Sequence, residues 1–313
     1  MPFSMIAAAG EGKRYGRRGR CKAADYASEC IGRNDFSLLD AMTHETLQEI
    51  VCSLGYPAAG NPTQYVMEKC FEAAGCDWRC LTLEVELGDF AEALRGTRAL
   101  GFLGVSVGTP FLKEAVALLD EKTPVVEIGG IVNCVSIREG KLFGENTEAA
   151  AVAKTLGDVT EKRIVIAGAG SRGRAIAAQL AAMSPQKMTI LAAADEPGQS
   201  LAHRLHEDFS VETAYELAEK PLPLSDVDIV IQTGDAEETL LFDPATITKE
   251  MTIVDLAITP SNALGDAVLS TEATLHDGLT IAAQVHALNY RIWTGNEADV
   301  AMIRETLEEY LGI

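Results

Sequence analysis

The chain's 313 residues are enough for two domains of ordinary size, and 47% hydrophobic with 23% charged residues is the balance of a soluble globular protein. A formal net charge of −20 repels polyanions and argues against nucleic-acid binding. No apolar run reaches the length of a membrane-spanning helix, and Met5-Ile-Ala-Ala-Ala is too short for the core of a signal peptide. The expected setting is the cytoplasm. The expected partners are a small-molecule substrate and, at most, a second copy of the chain in a homodimer.

Residues 1–35 are polar and carry Lys13, Arg14, Arg17, Arg18 and Arg20 among glycines, which reads as a flexible basic tail rather than a docking site for an acidic partner. Seven cysteines (Cys21, Cys30, Cys52, Cys70, Cys76, Cys80 and Cys134) form no CxxC pair, and nothing completes a zinc set around Cys76 and Cys80. Free thiols and no metal are expected. Leu47, Ile50, Val51 and Leu54 recur at helical spacing, so residues 40–54 are expected to be an amphipathic helix. A strand follows at 81–85, a short helix at 90–94 and a strand at 101–107. Pro110 sits where a first-turn proline is tolerated and is expected to open a helix to 119.

In the second half, Arg163-Ile-Val-Ile-Ala is an apolar strand that runs into Gly168-Ala169-Gly170-Ser171-Arg172-Gly173 and then a helical segment to 183. Further strands are expected at 188–192, 228–232 and 252–258. Short alternation of strand and helix implies a parallel sheet with right-handed crossovers. His203 and His206 lie three apart on an expected solvated helix face, and residues 283–311 read as two helices joined at Gly295-Asn296.

The glycine motif carries chemistry because of its position after a strand and before a helix. Gly168 allows the tight turn, Gly170 admits a pyrophosphate against the backbone, and Gly173 lets helix and strand approach. Free N–H groups at the helix start would face the phosphates, with Ser171 and Arg172 as added donors. The alternative is a glycine-rich turn with no ligand. The next strand ends in Ala192-Ala-Ala-Asp195-Glu196. Asp195 is the expected ribose acid, and two carboxylates with no nearby cation favour NAD over NADP.

The order of several further pieces resembles the shikimate dehydrogenase and quinate/shikimate dehydrogenase family. They are Gly60-Asn-Pro, the segment from Gly101 to Phe111, Leu119-Asp120, Gly130-Ile-Val-Asn-Cys134, Asn146-Thr-Glu148, the stretch from Asp255 to Pro260, and Gln284 with Trp293-Thr-Gly295. The resemblance implies an α/β substrate-binding and catalytic domain over residues 36–150 together with 283–313. It implies a Rossmann-type NAD(P)-binding domain over 151–282, with C-terminal helices returning to the first domain. It also implies reduction of 3-dehydroshikimate with NADPH in the cleft between domains, and Asn133 and Gln284 as substrate contacts.

The departures from the family are specific. Its lysine position is Leu112, with Lys113 one place later, and its aspartate partner is Glu148. Lys113 and Glu148 are therefore the expected acid–base pair. The paired serines that hold the substrate carboxylate are replaced by a segment reading Thr63-Gln64-Tyr65, a tyrosine by Ile258, and the Asn-Arg-Thr that takes the 2′-phosphate by Ala192-Ala-Ala194. Three readings follow. The first is a dehydrogenase acting on shikimate or a related polyhydroxy acid. The second is a cofactor-binding protein without that activity, and the third is an oxidoreductase with an unrelated substrate.

Overall fold

Two six-stranded sheets organise the chain. The structure, a computed structural model, describes residues 48–234, 240–259 and 263–313. The expected basic tail, Cys21, Cys30, and residues 40–47 of the expected N-terminal helix lie outside the described residues.

The first sheet contains β1 (Glu49–Gly55), β2 (Trp78–Glu84), β3 (Gly104–Val107), β4 (Glu121–Lys122), β5 (Cys134–Arg138) and β6 (Lys141–Glu145), in the order β2-β1-β3-β5-β6-β4. β1 runs parallel to β2 and β3, while β5 is antiparallel to β3 and β6. Residues 49–54 are thus strand, not helix. Val51 faces one apolar cluster and Cys52 and Leu54 another. A strand buried on both faces loses its alternation, and a short apolar run then mimics helical spacing.

Helices α1 (Thr63–Ala74) and α2 (Phe90–Ala99) connect the first strands. Pro110 does not open a helix. Phe111 stacks on Phe90 at 4.4 Å between ring centroids, and Leu112 packs against the cores of both sheets. The Leu112 carbonyl accepts from Val132 N at 3.0 Å, so it is not spent on a helical turn. Only a short 3-10 helix, Glu114–Leu118, follows.

After α3 (Pro124–Gly129) and α4 (Thr147–Leu156), the second sheet holds β7 (Arg163–Ala167), β8 (Lys187–Ala192), β9 (Glu212–Leu217), β10 (Ile229–Gln232), β11 (Thr252–Asp255) and β12 (Thr274–His276). Its order is β12-β11-β10-β7-β8-β9 and every pairing is parallel. Strand order reverses between β10 and β7, where such sheets open a ligand crevice. This is the α/β architecture with a Rossmann-type parallel sheet that the residue pattern implies.

Helices α5 (Ser171–Ala181) and α6 (Asp195–Phe209) cover this sheet with α7 (Ala263–Thr271). On α6, His203 lies exposed with Nδ1 3.3 Å from Glu207, and His206 Nδ1 lies 3.0 Å from the Val211 carbonyl. Close approach governs the packing around α5. A Cβ on Gly173 would lie 2.0 Å from the Gly168 carbonyl oxygen, and one on Gly129 would lie 2.6 Å from Ala175 Cβ.

Helices α8 (Gly278–Thr294) and α9 (Val300–Leu311) complete the chain. Ile281 of α8 belongs to the core of the second sheet, whereas Ala283, Ala287 and Tyr290 belong to the core of the first. Arg304 of α9 clamps Asp277 at the start of α8 through two contacts of 2.9 Å. His286 is buried on α8. Its Nδ1 lies 2.8 Å from the Ala282 carbonyl, which can only accept, so Nδ1 carries the proton and Nε2 faces the Thr63 hydroxyl at 3.5 Å.

Burial pushes the His286 pKa below its ordinary value, against the smaller opposing effect of the Ala282 carbonyl. Above pH ~6.5 the ring is neutral in folded and unfolded chains alike, and the folded state is at full strength. As pH falls below that value the unfolded chain gains a proton the folded one lacks. Stability then drops by about 1.4 kcal/mol per pH unit until the folded ring titrates. Urea unfolding at about pH 6.5 and 5.5 should show this loss reduced by roughly 1 kcal/mol in His286→Gln. Parallel acid limbs in the two proteins would contradict it.

Candidate active site

Lys113 follows β3, Asn133 directly precedes β5 and Glu148 follows β6, whereas the glycine loop follows β7 and Asp195 follows β8. On the first sheet, the loops after β1 and β3 are joined by Tyr56 N to Thr109 O at 3.1 Å and Gly108 N to Leu54 O at 2.8 Å. Asn61 Nδ2 donates to the buried Ser53 hydroxyl at 3.0 Å, and Asn61 Oδ1 accepts from Thr63 N at 2.9 Å. Thr63, Gln64 and Tyr65, which stand in place of the paired serines, are part of α1. They are the first turn of α1, where Thr63 faces His286, Gln64 accepts from Thr82 N and Tyr65 lies against Tyr310.

Asn133 sits between the backbone of β3 and the start of α4. Its carbonyl accepts from Val107 N at 2.9 Å, and its side-chain oxygen accepts from Thr147 N at 2.8 Å. The side-chain amide N–H groups of Asn133 have no protein partner among the described residues. Thr147 in turn donates its hydroxyl to Asn289 Oδ1 of α8 at 2.7 Å. Gln284, one turn before Leu288 on α8, has a buried Oε1 with no hydrogen-bond partner. Such an atom is costly to leave unpaired, which makes it a candidate for a ligand contact.

Glu148 and Lys113 are not joined. Lys113 is exposed at the start of the 3-10 helix and forms no ion pair among the described residues. The Glu148 carboxylate accepts from Arg172 Nε at 3.0 Å. A residue read as an acid–base partner and one read as a phosphate donor are thus in contact with each other. The displaced lysine explains half of this: the inward place is held by Leu112, packed against both cores.

The glycine loop has the shape a dinucleotide needs. Gly168 has φ +117°, and a Cβ there would lie 2.3 Å from Thr233 Oγ1, whose hydroxyl donates to the Ala167 carbonyl at 2.8 Å. Gly170 caps α5, and a Cβ at that position would meet nothing within 4 Å. Open space therefore lies over the free N–H groups of the helix, where an anion is favoured. Ala169 is buried and Ser171 and Gly173 open the helix. Asp195 begins α6, and the Tyr215 hydroxyl of β9 donates to its Oδ1 at 2.9 Å. Burial, then the Asp195 carboxylate, pushes the Tyr215 pKa up, so this donor stays protonated at neutral pH.

Gln232 escaped the sequence reading. It closes β10 beside Ala167, is only 5% exposed, and its Oε1 has no partner. Its signal was a polar residue ending an otherwise apolar strand at the place where strand order reverses. The loop, the unpaired Gln232 oxygen and Asp195 fit a dinucleotide lying across the strand ends. No group of three or more metal-ligating side chains exists among the described residues. No helix among them is long and apolar enough to cross a membrane.

Two family models match the chain: the shikimate dehydrogenase substrate binding domain over residues 54–135, and shikimate / quinate 5-dehydrogenase over residues 150–264. Together they span more than half of the protein. A shikimate dehydrogenase (NADP(+)) of Methanobrevibacter smithii is 27% identical over 277 residues, covering 85% of this chain and 98% of its own. The ligand-free 5-ketofructose reductase of Gluconobacter superposes with a TM-score of 0.79 at 27% identity, covering 85% of this chain and 99% of its own. The shikimate 5-dehydrogenase of Listeria monocytogenes has the same fold, with a TM-score of 0.74 at 22% identity over 83% of this chain and 96% of its own. With this sheet topology and this glycine loop, the chain belongs to the shikimate/quinate dehydrogenase family of NAD(P)-dependent oxidoreductases.

Proposed function

We propose that the protein interconverts a ketone and a secondary alcohol on a small polyhydroxylated substrate, with the dinucleotide seated over Gly168, Gly170 and Gly173. The observation that carries this reading is the unspent pair of amide groups, the N–H donors of Asn133 and the buried acceptor Oε1 of Gln284. A donor and an acceptor of this kind suit a substrate whose oxygens are hydroxyl and carbonyl groups. When bound, the nicotinamide ring supplies or accepts the hydride. Asn133 and Gln284 orient the substrate, and for the proton to be exchanged the exposed Lys113 amine has to reach Glu148, which Arg172 contacts in this structure.

The substrate range extends beyond polyhydroxy acids to polyhydroxylated ketones. Leu112 stands where the family has its lysine, which speaks against shikimate itself. By its name, the Gluconobacter relative acts as a reductase of a ketosugar. Turnover of NADH and NADPH with shikimate, quinate and 5-ketofructose separates the readings. Oxidation or reduction of one of them supports a dehydrogenase of this type. Cofactor binding with no turnover of any would move the assignment to a dinucleotide-binding protein.

The preferred cofactor is NAD. Ala193 replaces a phosphate-binding arginine, and Asp195 and Glu196 add negative charge at the exposed end of β8. Loss of one charge-assisted contact should cost about 1.5–3 kcal/mol for a 2′-phosphate, roughly ten- to a hundredfold in affinity. Calorimetry should give tighter binding of NAD than of NADP; the reverse order would reject this preference.

Gly170→Val should abolish cofactor binding in a folded protein, because the position is open, whereas Gly173→Val should fail to fold stably, because a carbonyl oxygen occupies the space. Unchanged affinity in Gly170→Val would remove the glycine loop from the site. Lys113→Ala should lower kcat about 10²–10⁴-fold with little effect on cofactor affinity. Full activity in that variant would show Lys113 to be a surface residue.

A further inference from the structure

We propose that Tyr215 is a positioning residue for the cofactor's adenosine ribose: its hydroxyl fixes the Asp195 carboxylate so that one oxygen is left to accept from the ribose 2′-hydroxyl, and the preference for NAD over NADP depends on it. The inference rests on the reading of the Gly168 loop as a dinucleotide site and of Asp195 as its ribose acid.

The backbone sets Asp195 beside the loop. The last two carbonyls of β8 are tied to either side: that of Leu191 accepts from Gly168 N at 2.9 Å, and that of Ala192 accepts from Ala218 N, just past β9, at 2.9 Å. The end of β8 is thereby held between the glycine loop and the end of β9, and Asp195 follows as the first residue of α6. Tyr215 reaches it from β9, where it stands opposite Ile190 of β8. The ring lies so close to α6 that a Cβ on the buried Gly198 would be 2.2 Å from Tyr215 Cε2. A glycine inside a helix weakens it, and here that loss makes room for the ring.

The hydroxyl of Tyr215 donates to Asp195 Oδ1 at 2.9 Å. Asp195 has no other hydrogen bond or ion pair among the described residues, which leaves Oδ2 open. An ionised carboxylate only accepts, so its open oxygen suits a ribose hydroxyl, which has a proton to give. A 2′-phosphate offers acceptors and negative charge at the same place and is repelled. Asp195 itself is exposed, and a carboxylate in water turns freely. The tyrosine holds it in one orientation before the cofactor arrives, so that less ordering is left to be done on binding.

The test is calorimetric titration of the full chain with ADP and with 2′-deoxy-ADP, which differ only in the hydroxyl that Asp195 would take. The wild-type protein should prefer ADP by roughly tenfold or more, the range for a hydrogen bond to a charged group. Tyr215→Phe keeps the ring against Gly198 and removes only the hydroxyl. It should weaken ADP binding about three- to tenfold, the range for one lost hydrogen bond, and leave 2′-deoxy-ADP binding unchanged. A general loosening of the fold would weaken both. Asp195→Ala should bind the two nucleotides alike, and Tyr215→Phe should have no further effect in that background. An ADP preference undiminished in Tyr215→Phe, or an equal loss for both nucleotides, overturns the proposal. A wild-type protein that binds ADP and 2′-deoxy-ADP alike overturns the reading of Asp195, and failure to bind either nucleotide or NADH overturns the dinucleotide reading; each takes this inference with it.

Discussion

Three consecutive side chains at the start of α4 tie the functional elements together. Asn146 caps its own helix through Ala149 N at 2.9 Å and reaches back to the Ile131 carbonyl. Thr147 bonds Asn133 and Asn289, and Glu148 bonds Arg172. The same helix buries Ala149, Ala151, Val152 and Ala153 in the core of the second sheet. A shift of this one turn would therefore move the Asn133 amide, α8 and the Gly168 loop together. Buried polar networks of this kind hold a unique geometry only when each member is satisfied.

The cofactor side depends on a second constraint, close backbone approach. Gly173 lies against the Gly168 carbonyl, and Gly129 against Ala175, so α5 is held tightly between β7 and α3. Arg174 adds a bond from its Nε to the Ile128 carbonyl at 3.2 Å. The result is a rigid helix start with open space above Gly170. The substrate side is built differently. Its lysine position is filled by Leu112, an apolar side chain touching both cores, while charge is moved outward to Lys113. Leu112 is half-buried, so this exchange trades a polar group for part of the ~1.5–3 kcal/mol that full burial of a leucine contributes.

The glycine loop and its flanking strand and helix were legible in the sequence because every requirement is local: an apolar strand, three small residues and a helix within a short span. The parallel sheet followed from the alternation of elements. β1 was misread because both of its faces are buried, which erases the period that distinguishes strand from helix. The helix expected after Pro110 failed for a tertiary reason, the capture of Phe111 and Leu112 by packing. Arg172, which contacts Glu148, and Asn289, which contacts Thr147, lie 24 and 142 residues away from them and leave no trace in spacing. Hence Arg172 was readable as a donor to an anion, but not which anion.

A dinucleotide seated over the Gly168 loop should be felt at the start of α4 through the contact of Arg172 with Glu148. Hydrogen–deuterium exchange with saturating NADH tests both halves at once. The expected result is slowed exchange at the amides of Ser171, Arg172 and Gly173 and a simultaneous change at those of Thr147 and Glu148. Exchange unaltered at both segments, with protection confined to another part of the chain, would contradict the account.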